Sequence, residues 1–110
     1  MKDKLEEVFS LQKSFEEMMN LDRYPKDVEG KVSALCTAMI HEAVELQRTT
    51  NWKWWKKPVP FNQADAQEEL IDIWHFLIQV SIELDLTPDD ILKEYQRKNE
   101  INRQRQKDGY

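Results

Sequence analysis

The sequence predicts an all-α protein, a four-helix bundle with short connections. The chain has 110 residues but only two glycines and four prolines, which leaves little material for the turns of a β fold. Charged residues make up 34% of the chain, and apolar residues recur at helical spacing through four segments. A chain of this length forms one small domain, residues 1–110. Because such a domain buries a limited core, we expect a homodimer or homotetramer.

The first two helices are predicted over about 4–20 and 29–50. Apolar residues recur on one side of the first helix, and Gln12 falls on that same side. A polar group therefore points toward the core-facing stripe. Pro25 separates the two helices, because proline disfavours α geometry in the residue before it. The second helix has its apolar positions in the run Val32–Leu46.

The third and fourth helices are predicted over about 63–85 and 88–107. Asn62 is a suitable N-cap for the third helix, and Thr87, followed by a proline, is one for the fourth. The third helix is apolar nearly all round in the run Leu70–Leu84. A helix without a clear polar face is buried on most sides, which favours a subunit interface along it.

A segment rich in tryptophan and lysine, residues 51–61, joins the second and third helices; we call it the tryptophan loop. It contains three tryptophans and three lysines within six residues, and its two prolines exclude a helix. The loop can contact a ligand, or it can serve as a hydrophobic plug or a dimer contact. These two roles are compatible with each other.

Two pairs of acids, Glu42-x-x-Glu45 and Glu69-x-x-Asp72, lie in otherwise apolar stretches of successive helices. Acids three residues apart share a helix face at about 5–6 Å, and burying them unpaired is unfavourable. Antiparallel packing of the two helices can bring the pairs together, and oxygen ligands of this kind suit Mg²⁺. In this arrangement we expect Glu68, rather than Glu69, to face solvent. The alternative is that the acids form a solvated helix face.

The remaining charge and cysteine pattern limits the classes of function. A net charge of −5 argues against general nucleic-acid binding, which needs a basic footprint. His41 and His75 flank the acids and are expected to support the site or an interface, since Mg²⁺ prefers oxygen. Cys36 stands alone, so we expect a small core residue in a reducing compartment. The charged start, 1–7, and the absence of a run of about 20 apolar residues predict a cytoplasmic protein without a membrane span.

The acid pairs, separated by 23 residues, resemble the signature of the all-α nucleoside triphosphate pyrophosphohydrolases, the MazG-like superfamily. Within it, the chain is most similar to the dimeric dUTPases. Four features carry this closer resemblance: Gln12, the segment Trp52–Lys56, the run Glu68–Phe76 and the C-terminal stretch Tyr95–Tyr110. Where such relatives often carry another acid after the first pair, this chain has Gln47–Thr50.

The resemblance implies hydrolysis of a deoxynucleoside triphosphate to the monophosphate and diphosphate with Mg²⁺. Glu42, Glu45, Glu69 and Asp72 would be the metal ligands and catalytic residues, with one of the glutamates as general base toward a metal-bound water.

It also implies a set of substrate-binding residues: Gln12, Trp52, Trp55, Lys56, Lys98, Asn99, Asn102 and Arg105. The cationic members would offset the triphosphate charge, Gln12 and Asn102 would meet the base, and Trp55, or else Trp52, would pack on the base or sugar.

The function expected from these features is a Mg²⁺-dependent dUTP pyrophosphatase acting on a small-molecule nucleotide. One alternative is a pyrophosphohydrolase for another nucleotide, such as dCTP or a modified triphosphate. The other is a non-catalytic helical interaction module, in which the acids are solvated and the tryptophans bind a partner.

Overall fold

A computed structural model of the chain describes residues 3–19 and 22–109. That part contains four α-helices and no strand: α1, Lys4–Met18; α2, Val28–Gln47; α3, Gln63–Glu83; and α4, Pro88–Lys107. The predicted all-α, four-helix class is confirmed. The predicted limits at Met1, Asn20 and Tyr110 lie outside the described residues.

Each helix begins at a side chain that accepts a hydrogen bond from the backbone N–H three residues ahead, as N-caps do. The four caps are Asp3, Asp27, Asn62 and Thr87. At α4 the bond is reciprocal, because the Asp90 carboxylate also accepts from the Thr87 N–H at 2.9 Å. This backbone hydrogen bond, followed by the Thr87 hydroxyl, holds the pKa of Asp90 below its ordinary value.

Helices α2 and α3 end two or three residues earlier than predicted, for local reasons. After α2, the hydroxyls of Thr49 and Thr50 donate to the carbonyls of Leu46 and Gln47 at 2.7 and 2.6 Å. After α3, Asp85 adopts the left-handed conformation, with φ of 60°.

The α3 ending is a Schellman motif. The Leu86 N–H donates to the Ser81 carbonyl and the Asp85 N–H donates to that of Ile82, both at 3.0 Å. Glycine usually occupies the left-handed position of such a motif, and here an aspartate occupies it.

Helices α2 and α3 form the central antiparallel pair. Lys31, early in α2, lies 3.2 Å from the carboxylate of Glu83 at the end of α3, whereas the acids late in α2 meet the start of α3. Helix α1 packs on α3, and α4 packs on α1 but on neither α2 nor α3. The small core takes Phe9 from α1, Leu35 from α2 and Ile78 from α3.

Much apolar surface stays exposed in the single chain. The Cα radius of gyration is 17.5 Å, against about 13 Å for a compact chain of this length. On α3, Ile71 and Trp74 are about half exposed, although the sequence predicts that this helix is buried on most sides. The expectation that Cys36 is a core residue is wrong for the single chain, because Cys36 and Ile40, one turn apart on α2, are both exposed.

None of the described helices combines the length and apolar content needed to cross a bilayer.

Candidate active site

Three of the four predicted acids converge between α2 and α3. Glu42, Glu69 and Asp72 each offer a carboxylate oxygen, and these oxygens all lie within 4.8 Å of one another. Glu42 and Glu69 are partly buried and Asp72 is exposed, as is Glu68. The antiparallel pairing of the two helices, together with the i, i+3 spacing on α3, produces this cluster.

The neighbouring carboxylates act on the protonation of Glu69. Desolvation first, and then the charges of Asp72, Glu42, Glu45 and Glu68, raise the pKa of Glu69 above its ordinary value. A set of oxygen donors at this spacing fits a hard divalent ion such as Mg²⁺. The residues present therefore suit the metal that the sequence predicts.

Glu45 lies beside the cluster but is engaged elsewhere. Its Oε1 is 3.4 Å from Nη1 of Arg48, the residue that caps the C-terminus of α2. Its charge nevertheless contributes to the raised pKa of Glu69, so the two carboxylates are near each other. Arg48 belongs to the Gln47–Thr50 segment, where an additional acid is absent from this chain.

A cavity of about 600 Å³ opens next to the cluster, within the size range of small-molecule sites. Glu42 and Asp72 line one part of it. The other lining residues come from all three packed helices and the segment between α1 and α2: Gln12, Phe15, Met19, Tyr24, Leu35, His75, Phe76 and Gln79. The structure thus brings predicted residue Gln12 into one cavity with two of the acids.

The tryptophan loop has a defined conformation. The side-chain amide of Asn51 donates to the Val59 carbonyl and its oxygen accepts from the Val59 N–H, both at 2.9 Å. The closed loop lines a second cavity of about 480 Å³ that includes Trp52 and Lys56. Trp55 is 59% exposed and packs edge-on against Trp52, with ring centroids 6.0 Å apart.

The predicted substrate-binding residues of α4 are not brought to the acids within one chain. Lys98, Asn99, Asn102 and Arg105 are exposed on α4, which packs only on α1.

Gln79 and Tyr24 were missed as site residues by sequence reasoning, and His75 was assigned only a supporting role. A signal was present for two of them: Asp72, His75 and Gln79 are spaced i, i+3, i+7, which places them on one face of α3. Gln79 is also an uncharged amide within an apolar run, where a buried polar group needs partners.

Four α-helices with a carboxylate cluster between an antiparallel pair define an all-α protein whose acidic cluster could hold a divalent cation. Residues 4–89 match the family model of the dUTPases, and the chain belongs to this family. It is also 31% identical to the dCTP pyrophosphatase of Enterobacteria phage T4, over a match that covers 60% of this chain and 46% of that protein.

These matches confirm the resemblance drawn from the motifs. The chain spans less than half of the length of the phage relative that it matches. The family match ends at residue 89, so it includes only the first two residues of α4. No solved structure matches the chain significantly.

Proposed function

We propose that the protein is a Mg²⁺-dependent nucleotide pyrophosphohydrolase that converts dUTP and water to dUMP and diphosphate in the cytoplasm. The observation that carries the proposal is the convergence of Glu42, Glu69 and Asp72 beside a cavity of nucleotide size. Membership of the dUTPase family supports the same reaction.

The acids would hold the cation, with Glu45 completing the set when it leaves Arg48. Bound Mg²⁺ would supply charge neutralisation, a contact for phosphate oxygens and a water of lowered pKa. One of the glutamates would accept the proton of that water as it attacks the α–β phosphoanhydride. Gln12 would meet the base inside the cavity, and Trp52, Trp55 and Lys56 would contact the sugar and phosphates from the loop.

A second copy would complete the site. A groove of about 540 Å³ between α1 and α3 is lined mainly by apolar side chains, among them Leu11 and Trp74, which are 64% and 47% exposed. Exposed apolar surface of this kind marks interaction sites, and we assign it to a homodimer or homotetramer interface. In such an assembly α4 of a neighbouring copy would bring its Lys98, Asn99, Asn102 and Arg105 to the nucleotide.

dCTP is the second candidate substrate, because the phage relative is named a dCTP pyrophosphatase. The two candidates share the reaction and the cation, and they differ only in the base.

The test is diphosphate release from a panel of dUTP, dCTP, dTTP, dATP, dGTP and UTP with Mg²⁺, together with calorimetric titration of the cation. We expect stoichiometric Mg²⁺ binding and the highest kcat/KM for dUTP. A higher value for dCTP would transfer the assignment to that nucleotide. Absence of both diphosphate release and cation binding would refute the enzyme and leave the helical interaction module.

A further inference from the structure

A buried amide on α3 has its orientation fixed by two acids. Gln79 is 5% exposed, and its Nε2 donates to Glu16 at 2.8 Å and to Glu83 at 3.2 Å. Ionised carboxylates can only accept hydrogen bonds, so the nitrogen end of the Gln79 amide must face them. Its oxygen must therefore face the opposite way, where Gln12 lies.

The orientation of Gln79 fixes the orientation of Gln12. Gln12 Nε2 donates to the Gln79 oxygen at 3.0 Å, which leaves the Gln12 oxygen facing Nδ1 of His75 at 3.1 Å. Because an amide oxygen only accepts, Nδ1 of His75 must carry a proton. Each group in this chain therefore donates toward the carboxylates: the His75 imidazole donates to Gln12, Gln12 donates to Gln79, and Gln79 donates to the two acids.

Gln12 keeps one N–H and one oxygen lone pair after these contacts, and it lines the cavity shared with Glu42 and Asp72. Tyr24 lines the same cavity, and its hydroxyl oxygen is buried close to Gln79 and Glu83. Burial, followed by the charges of Glu83 and Glu16, raises the pKa of Tyr24 to about 12, so the hydroxyl remains a donor. Within the cavity, the Gln12 amide therefore presents a donor and an acceptor whose directions are fixed.

We infer that Gln79 is a positioning residue that decides, through Gln12, which pyrimidine base the site accepts; this rests on the proposed function. Uracil offers an N3–H donor beside carbonyl acceptors, whereas cytosine offers an N3 acceptor beside an amino donor. The Gln12 amide in one orientation matches one of these edges, and after a 180° turn it matches the other. A turn of Gln12 requires Gln79 to turn as well. The carboxylates of Glu16 and Glu83 oppose this, because they would then face the Gln79 oxygen.

Two variants release the amide in different ways. Gln79→Met keeps the length of the side chain and removes the amide. The double variant Glu16→Gln/Glu83→Gln leaves Gln79 in place with partners that accept either orientation. Glu17→Gln controls for the loss of a carboxylate from α1, because Glu17 is exposed, and Lys31→Gln controls for the loss of the Lys31–Glu83 pair at 3.2 Å.

The measurement is kcat/KM for dUTP and for dCTP. We expect the ratio of the two values to fall at least tenfold in Gln79→Met and in the double variant, mainly through better use of the disfavoured nucleotide. The Mg²⁺ affinity should stay within about fivefold of the parent, and the control variants should match the parent in the ratio of the two kcat/KM values. An unchanged ratio in either folded variant would overturn the inference.

A measurement on the unsubstituted protein tests the same inference independently of these variants. Long-range ¹H–¹⁵N NMR spectra of neutral His75 should show the tautomer protonated at Nδ1, and the Nε2-protonated tautomer would overturn the inference even if both variants failed to fold. A parent that hydrolyses dUTP and dCTP equally would also overturn it and leave the pyrophosphohydrolase proposal intact. If no nucleotide is hydrolysed, the proposed function fails, and the inference about the base fails with it.

Discussion

Arg48 Nη1 lies 3.4 Å from Glu45 Oε1, so the member of the four predicted acids that stands outside the three-carboxylate cluster is paired with an arginine. The Arg48 side chain is 65% exposed and that of Glu45 is 49% exposed. Surface pairs of this kind contribute only about 0–1 kcal/mol. A divalent ion bound by the other three acids can therefore recruit Glu45 with little loss of stability.

Removing Arg48 should strengthen cation binding. We expect Arg48→Gln to raise the Mg²⁺ affinity by up to about fivefold, because the exposed Arg48–Glu45 pair that the cation must displace is worth about 0–1 kcal/mol. Calorimetric titration measures this. Arg97→Gln is the control, since it breaks a similar i, i+3 pair, Arg97–Glu94 at 2.8 Å, on α4. Equal Mg²⁺ affinities in the parent and Arg48→Gln would show that the arginine does not oppose the metal.

Glu69→Gln should abolish cation-dependent hydrolysis. We expect a loss of about 100-fold or more in diphosphate release, since even changes to the partners of metal ligands cost about 10–100-fold. The neighbouring substitution Glu68→Gln removes the same charge from an exposed side chain and should keep most of the activity. Comparable losses in both variants would contradict the assignment of Glu69 as a ligand.

The same variant carries a pH signature in the metal-free protein. Because the pKa of Glu69 is raised in the fold, its ionised form opposes folding above that pKa, and the penalty disappears below the ordinary pKa of a glutamate. Glu69→Gln should therefore raise the thermal unfolding temperature at pH 7 in the presence of a chelator, and the gain should vanish near pH 3. A gain that persists at pH 3 would point to a cause other than charge.

Asn51 should control the conformation of the tryptophan loop. Asn51→Ala removes both hydrogen bonds to Val59, each worth about 1 kcal/mol, and should speed amide exchange in the loop and raise the KM for the nucleotide. Tryptophan fluorescence provides a second measurement. Asn51→Asp keeps the acceptor for the Val59 N–H and should give an intermediate effect. If the amides of the loop exchange as slowly in Asn51→Ala as in the parent, the Asn51 side chain does not close the loop.

Asp90→Asn should weaken the start of α4 in a pH-dependent way. Because the folded pKa of Asp90 is lowered by its hydrogen bonds to Thr87, its stabilising effect is present above the ordinary pKa of an aspartate and is lost as the pH falls through the lowered value. The variant should unfold at a lower temperature than the parent at pH 7, with the gap closing near pH 2. Asp89→Asn removes a charge from the same turn without touching the capping box and should show a smaller gap at pH 7.

Sequence reasoning located the helix starts better than the helix ends. Asn62 and Thr87 are residue types whose side chains cap helices, and α3 and α4 begin where these residues predict. The end of α3 depends on Asp85 adopting a left-handed conformation, a position that is ordinarily read from glycine. The end of α2 depends on hydroxyl bonds to backbone carbonyls, which the residue type alone does not specify.

For the candidate site as well, some features could be predicted from the sequence and others could not. The i, i+3 spacing of Glu69 and Asp72 is a property of the sequence, so their common face could be predicted. The pairing of Glu45 with Arg48 and the bonds of Gln79 to residues of α1 depend on rotamers and on the position of α1 against α3. Neither can be read from spacing.

The packing of α4 on α1 alone has a mechanical consequence. The helix contains 20 residues, so it is about 30 Å long, and a short link from Leu84 to Thr87 joins it to α3. A 10° rotation at that link would carry the far end of α4 by about 5 Å, while the acids between α2 and α3 kept their geometry. A change in the four linker residues or in the contact with α1 can therefore move the end of α4 without any alteration to the predicted metal ligands.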